Sequence, residues 1–456
     1  MIEGELALAL FASVCVLLLF GFPVALTLGG TALLFASFGV IAGHFDASFV
    51  AALSGRIFGT ITNETLVAVP LFILMGVTLE RAKIAEELLT AMANALGNRT
   101  GGLGMAVIIV GALLAASTGI VGATVVTMGV LALPSMLRAG YDPKLATGLI
   151  CATGTLGQII PPSIALVLLG DIMSTAYQQA QLQSGIINTQ TVSVGDLFVG
   201  SLVPGIVLVS LYLSYLLFVG WRNPASCPPP EDTAAAADTS VIGAIIPPLA
   251  LITIVLGSII LGAATPTEAA GVGAVGAMIL AAYKSALSPT VIKEIARSTM
   301  ETTSMVFLIL IGAALFSLVF RGFGGDEIIE AFFESLGGGP HVALLIVMLV
   351  MFLLGFILDF IEITFVVVPI VAPILLSMGF DPVWLGVMIA VNLQTSFLTP
   401  PFGFALFYLR GVADESVATS DIYRGVIPFV LLQLALLAAL WLVPDIVTWL
   451  PSMMGR

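Results

Sequence analysis

Asp359 and Glu362 stand three residues apart inside a strongly apolar stretch of the chain. A carboxylate in such surroundings is costly and is functional by default. Asp359, with Glu362 behind it, could therefore supply a charged ligand for a cation, and for Glu362 a water-facing tip is an equal reading. Two other stretches, "GTLGQIIPPS" (Gly154–Ser163) and "FLTPPFGFAL" (Phe397–Leu406), each hold a Pro-Pro pair in mid-hydrophobic run. Two consecutive prolines remove two backbone donors and clash with the preceding turn, so no intact helix passes through them. In hydrocarbon the freed polar groups are tolerated only where protein or a watery cavity meets them. Small-residue tips at "ASTGIVGAT" (Ala116–Thr124) and "LDFIEIT" (Leu358–Thr364) complete a set of four irregular stretches. Where a tip meets a break, carbonyl ends can wrap a sodium ion and helix N-termini can hold an anion. Taken singly, Gly119 or Gly157 reads as close helix packing. Four such stretches in two-fold register read as a site.

The elements that must position these residues are membrane helices. The chain has 456 residues, 59% apolar and 9% charged, against about 25% charged in a soluble protein. Runs such as Leu6–Phe20, Val241–Leu261 and Val342–Leu358 approach or reach the roughly 20 apolar residues that cross a hydrocarbon core. None alternates as a β-barrel strand would. The first run, Glu5 to Val40, is too long for one span and is expected to break at Gly21-Phe22-Pro23. The N-terminus lacks a basic signal-peptide region, so that run is expected to remain as a span. Basic residues gather at Arg81/Lys83/Arg99, Arg138/Lys144, Arg222 and Lys284/Lys293/Arg297, the cytoplasmic candidates under the positive-inside rule.

The two halves repeat. "LPSMLRAGYDP" (Leu133–Pro143) matches "APILLSMGFDP" (Ala372–Pro382). Pro134 and Pro373, Gly140 and Gly379, Asp142 and Asp381, and both Pro-Pro pairs share one offset, 373 − 134 = 239. Matching interrupted segments in two halves are a signature of secondary transporters and point to the binding site. A segment of 14 to 18 apolar residues on each side of a tip is too short per limb to span and reads as a re-entrant hairpin. The fold class is therefore an all-α polytopic membrane protein, an inverted repeat with two re-entrant hairpins and two broken helices.

Other chemistry lacks residues. His44 and His341 form no cluster, and Cys15, Cys151 and Cys227 form no CxxC pair or metal spacing. No basic patch suggests nucleic acid. Gly271-Val-Gly273-Ala-Val-Gly276 matches a dinucleotide fingerprint, but it lies inside an apolar helix with no strand before it. Thr265, Pro266 and Glu268 just ahead read as N-cap, N1 and N3 of that helix. Asp171, Arg321 and Arg410 stand near span ends and can snorkel, so structural roles are expected for them.

The chain resembles the large membrane subunit (DctM type) of tripartite ATP-independent periplasmic, or TRAP, transporters within the ion-transporter superfamily. The likeness spans nearly the whole length. It rests on "GTLGQIIPPS", "TPTEAA" (Thr265–Ala270), "VPLFILMG" (Val69–Gly76), "DLFVGSLVPG" (Asp196–Gly205), "GFILD" (Gly355–Asp359) and "NLQTSFLTPPFG" (Asn392–Gly403). The resemblance implies a scaffold and a mobile elevator domain in the bacterial inner membrane. It also implies a periplasmic substrate-binding protein and a small four-helix membrane subunit as partners, with Na+ as coupling ion and no other cofactor. By motif position, Thr118, Gly119, Gly154 and Pro161 would border one sodium site, and Asp359, Asn392 and Thr399 the other. Ser117, Gln158, Ser163 and Gln394 are candidates for substrate contact by their place at tips and breaks. Many relatives read Ser-Gly-Ser-x-Ala-Ala-Thr at the first tip, where this chain has Thr118-Gly-Ile-Val-Gly-Ala-Thr124. Ile120 could contribute only a backbone carbonyl there.

Under this reading residues 1–100 form scaffold helices and an amphipathic arm, and 101–180 the first elevator repeat unit. Residues 181–222 form a scaffold helix, and 223–240 a linker. Residues 241–339 form the second scaffold helices and arm, 340–412 the second elevator unit, and 413–456 a C-terminal helix. The expected function is sodium-coupled import of a small organic anion, a carboxylate, delivered by the binding protein. A stand-alone sodium/carboxylate symporter of the same superfamily is the alternative. An intramembrane enzyme is more remote, since no nucleophile-base pair or His/Asp/Glu cluster is visible.

Overall fold

The computed structural model describes residues 2–96, 99–229, 241–335 and 337–454. Among them all regular structure is helical. Six helices are long and apolar enough to cross a membrane, or up to eight if two bent pairs each count as one span. Large apolar side chains point outward along them, among them Leu34 at 73% and Ile41 at 86% exposure. Such an apolar exterior has hydrocarbon, not water, as its solvent.

Local rules set the helix ends. The first apolar run divides as expected, into Ile2–Leu19 and Val24–Ala42, with Gly21 in the left-handed region at φ +80°. Thr265 caps Pro266–Tyr283 through a full capping box, Thr265 Oγ1 accepting from Glu268 N and Glu268 Oε2 accepting from Thr265 N. The glycines of the false fingerprint lie inside that helix, where a Cβ on Gly273 would meet Met75 and Val255. They serve close packing.

The repeat is visible in the element boundaries. The first hairpin runs Gly102–Thr118, then Val121–Leu131 and Leu133–Arg138; the second runs Gly339–Leu354, then Phe360–Val366 and Val368–Ser377. Return limbs are N-capped at Ile120 and Asp359, and end at Arg138 and Ser377. The broken helices begin at Pro143 and Pro382. The return-limb caps, the limb ends and the starts of the broken helices each keep the offset of 239 seen in the sequence. Asp142 accepts from Lys144 N at 3.0 Å and Asp381 from Trp384 N at 2.8 Å, and each proline stands at N1, where no donor is missed. Gly140 and Gly379 both take positive φ, +83° and +95°, which a Cβ would oppose. Both Pro-Pro bonds are cis.

The chain forms two compact units. Unit 1 comprises Met1–Val67, Leu168–Ser193 and Glu301–Leu385, with buried Phe316, Phe320 and Phe323 at its core. It holds the second hairpin, whose return limb bends by 57°. Unit 2 comprises Ala68–Val167, Val194–Met300 and Gly386–Arg456. Its core includes Tyr212 edge-on to Phe429, centroids 5.2 Å apart. It holds the first hairpin and both Pro-Pro breaks.

Two stretches are more ordered than their composition suggests. The polar segment after Ser174 continues the helix Ile164–Gln183, and Gln181 then clasps Gln190 by two hydrogen bonds of 2.9 and 2.8 Å. The start of the expected linker forms a short 3-10 turn, Pro224–Ser226. Ser226 and Cys227 carbonyls accept from Asp142 N and Gly101 N, so this portion is pinned to unit 2. Residues 230–240 of that linker lie outside the described residues.

Candidate functional site

In unit 2 the first hairpin tip and the first break meet backbone to backbone. The limb Gly102–Thr118 ends because Gly119 takes φ +61° and returns its N–H to Ala115 O, a left-handed C-cap. A Cβ on Gly119 would stand 2.8 Å from Ile164 N, and one on Gly157 would reach Ala115 O and Gly119. A Cβ on Gly154 would stand 2.2 Å from Val125 of the return limb. Glycine at these positions lets the tip settle on the break with no side chain between.

The expected residues of this half converge. Ser163 Oγ donates to Gly157 O at 2.6 Å, bridging the break with a side-chain bond where the prolines offer no N–H. Ser117 Oγ donates to Leu114 O at 2.9 Å. Gln158 is 2% exposed and its Oε1 has no partner among the described residues. Pro161 is buried beside Ala116 on the wall of an apolar cavity of roughly 500 Å3. The side chain of Thr118 lies outside the described residues.

In the second half, Asn392 is buried and Thr399 Oγ1 donates to Thr395 O at 2.7 Å. Both belong to unit 2, whereas Asp359 belongs to unit 1. There Asp359 is the N-cap of Phe360–Val366, its Oδ1 accepting from Phe360 N at 2.6 Å. Glu362 Oε2 accepts from Asp359 N at 2.9 Å. Glu362 is 5% exposed, so it is not a water-facing tip residue.

Gln394 is fully buried and its Nε2 donates to Thr155 Oγ1 at 3.4 Å, while its Oε1 has no partner among the described residues. Thr155 and Gln394 are themselves 239 positions apart, so the two broken helices touch at equivalent points of the repeat. Sequence reading missed the residues around this contact. Gln433 Nε2 donates to Tyr212 Oη at 2.7 Å and to Thr155 Oγ1 at 3.4 Å, and its Oε1 is buried without a partner among the described residues. A glutamine within the apolar span Thr419–Leu442 was the available signal. Arg410 is structural, as expected: its guanidinium donates to the carbonyls of Ala413, Asp414 and Val417. In the same loop Ser416 N donates to Asp414, holding that carboxyl below its usual range. Asp171 and Arg321, by contrast, line a polar cavity in unit 1.

A tip and a break held by backbone contact, with buried amide oxygens lacking donors, suit an oxygen-ligated cation or a hydrogen-bonding solute. Among the described residues they offer no paired nucleophile and base. A family model described as "Tripartite ATP-independent periplasmic transporter, DctM component" matches residues 11–446. The C4-dicarboxylate TRAP transporter large permease protein DctM of Vibrio cholerae serotype O1 is 29% identical, over 98% of this chain and 97% of its own. The ectoine/5-hydroxyectoine TRAP transporter large permease protein UehC of Ruegeria pomeroyi is 28% identical, over 98% of each chain. The crystal structure of the Alcanivorax borkumensis YdaH transporter matches with a TM-score of 0.65 at 15% identity, over 95% of this chain and 98% of that one, a likeness of fold. With a match over nearly its whole length, several membrane spans and no enzyme among these relatives, the chain belongs to the DctM family of TRAP transporter large permeases, multi-pass proteins of the bacterial inner membrane.

Proposed function

We propose that this chain is the permease of a sodium-coupled importer that takes a small organic anion, a carboxylate, from a periplasmic substrate-binding protein. It pairs with a small four-helix membrane subunit and moves its cargo by an elevator motion. The carrying observation is the tip of the first hairpin resting on the first break, at boundaries that recur 239 residues later. Sodium is held at Thr118, Gly119, Gly154 and Pro161, and again at Asp359, Asn392 and Thr399. Substrate meets Ser117, Gln158, Ser163 and Gln394. Support for the first set is their convergence in unit 2, and for the last the unpartnered oxygens of Gln158 and Gln394. The two relatives are named for a dicarboxylate and for ectoine, and both kinds of solute bear a carboxylate. The energy comes from reciprocal coupling: sodium raises affinity for the solute, and the solute raises affinity for sodium by the same factor.

The test is uptake into proteoliposomes holding this chain and its small partner, with a binding protein and its ligand outside. Import that needs both the inward sodium gradient and the binding protein is the expected result. Import without the binding protein would make the chain a stand-alone symporter, and import indifferent to sodium would remove the ion sites.

A further inference from the structure

A cavity of roughly 350 Å3, built entirely from unit 1, lies apart from the residues assigned above. Its walls carry Arg56, Asn63, Asp171, Thr175 and Arg321 among apolar groups. The volume lies within the range of sites for small solutes. Its charged groups are two guanidinium groups and one carboxylate, Arg56, Arg321 and Asp171. Asn63 Nδ2 donates to both Asp171 oxygens at 3.1 Å, while Asn63 Oδ1 accepts from Thr65 N at 2.9 Å. That pair of contacts holds the asparagine, and through it the carboxylate, in one orientation. Arg321 Nη2 donates to Pro369 O at 3.0 Å, and its Nε lies 3.2 Å from Asp326 Oδ2 without hydrogen-bonding it. The guanidinium of Arg56 makes no hydrogen bond or ion pair among the described residues.

The two arginines also run against the charge bias of the chain. Arg321 closes the 34-residue helix Pro289–Gly322, whose other end carries Lys293 and Arg297. The positive-inside rule puts that other end in the cytoplasm, and so Arg321, with the cavity it lines, on the outer side. Arg56 and Arg321 therefore stand against that bias, at the face where a solute released outside would arrive.

We infer that this cavity binds a small organic acid whose single carboxylate meets Arg56 and Arg321 and whose hydroxyl, amide or ammonium donor meets Asp171. Arginine matches a carboxylate with two parallel donors. A carboxylate such as Asp171 accepts only, so it takes a donor-bearing group and repels a second carboxylate. The site therefore favours hydroxylated or zwitterionic monocarboxylates over plain dicarboxylates. Its biological sense rests on the import reading above, as a receiving site on the outer face.

Thermal unfolding of the full chain with its small subunit, without liposomes or gradients, tests this with four probes: gluconate, N-acetylneuraminate, ectoine and succinate. At least one of the first three is expected to raise the midpoint, with succinate giving no rise. Asp171→Asn and Arg56→Gln should each abolish that shift, and Arg56→Gln removes an exposed guanidinium with no hydrogen bond or ion pair to lose among the described residues. Arg321→Gln should do the same, although it also frees Pro369 O. No rise with any of the first three probes, a rise with succinate as large as with them, or a shift that survives either Asp171→Asn or Arg56→Gln would overturn the assignment. Because the readout needs neither sodium nor binding protein, its failure leaves the uptake experiment standing, and failed uptake leaves this result intact.

Discussion

Asp359 carries two roles that one substitution can separate. It is an N-cap whose Oδ1 holds Phe360 N, and it is a proposed sodium ligand by its charge. Asparagine caps a helix about as well as aspartate. Asp359→Asn should therefore keep the unfolding midpoint while weakening the sodium dependence of uptake by roughly tenfold, about 1.4 kcal/mol of coupling. Asp359→Ala should lose both, with the missing cap costing about 0.5–2 kcal/mol of stability. Uptake by Asp359→Asn indistinguishable from the parent would reduce the residue to a cap. Glu362 sits in the same capping box, so this contrast needs the single change at 359.

At the level of elements, the first broken helix depends on how closely the helix Thr419–Leu442 approaches it. A Cβ on Gly148 would stand 2.1 Å from Gly425 O, and one on Gly425 would stand 2.1 Å from Lys144 O. Small residues that let backbones touch are the main packing device where both helices already lie in lipid. The obstacle here is a carbonyl on a helix, which cannot swing aside as a side-chain tip can. Gly148→Ala should therefore destabilise by about 1–3 kcal/mol, read as a lowered unfolding midpoint in detergent. Gly30, inside Val24–Ala42, has nothing within 4 Å of its would-be Cβ, and Gly30→Ala should be neutral or stabilising by about 0.5–1 kcal/mol. Equal effects at the two positions would mean that the crossing is looser than the geometry shows.

For the whole molecule, sidedness in the membrane is the property that gives the outer cavity its meaning. The helix Pro289–Gly322 has 34 residues, about 51 Å at 1.5 Å per residue, more than the roughly 30 Å of a hydrocarbon core. Ser288 and Ser335 flank this crossing and are both exposed. With Cys15, Cys151 and Cys227 replaced, Ser288→Cys should react with a membrane-impermeant maleimide only from the cytoplasmic side. Ser335→Cys should react only from outside. Labelling of both from one side would cancel the sidedness assigned to Arg321 and its cavity.

The membrane class, the four irregular stretches, the repeat and the cap at Thr265 were all legible in the sequence. Each depends on a property that a residue carries locally: a proline's missing donor, a glycine's freedom at positive φ, a short polar side chain that reaches its own backbone. The contact of Gly119 with the break at Ile164 was half legible, since tip and break were each visible but their approach was not. What only the tertiary structure decided were polar groups brought together across long separations. Asn63 and Asp171 are 108 residues apart, Tyr212 and Gln433 are 221, and Thr155 and Gln433 are 278. Arg321 and Asp171 read singly as snorkelling ends, because a lone charge near a helix terminus carries no trace of its partners. Packing of distant helices set them on one cavity wall, and no local rule encodes that proximity.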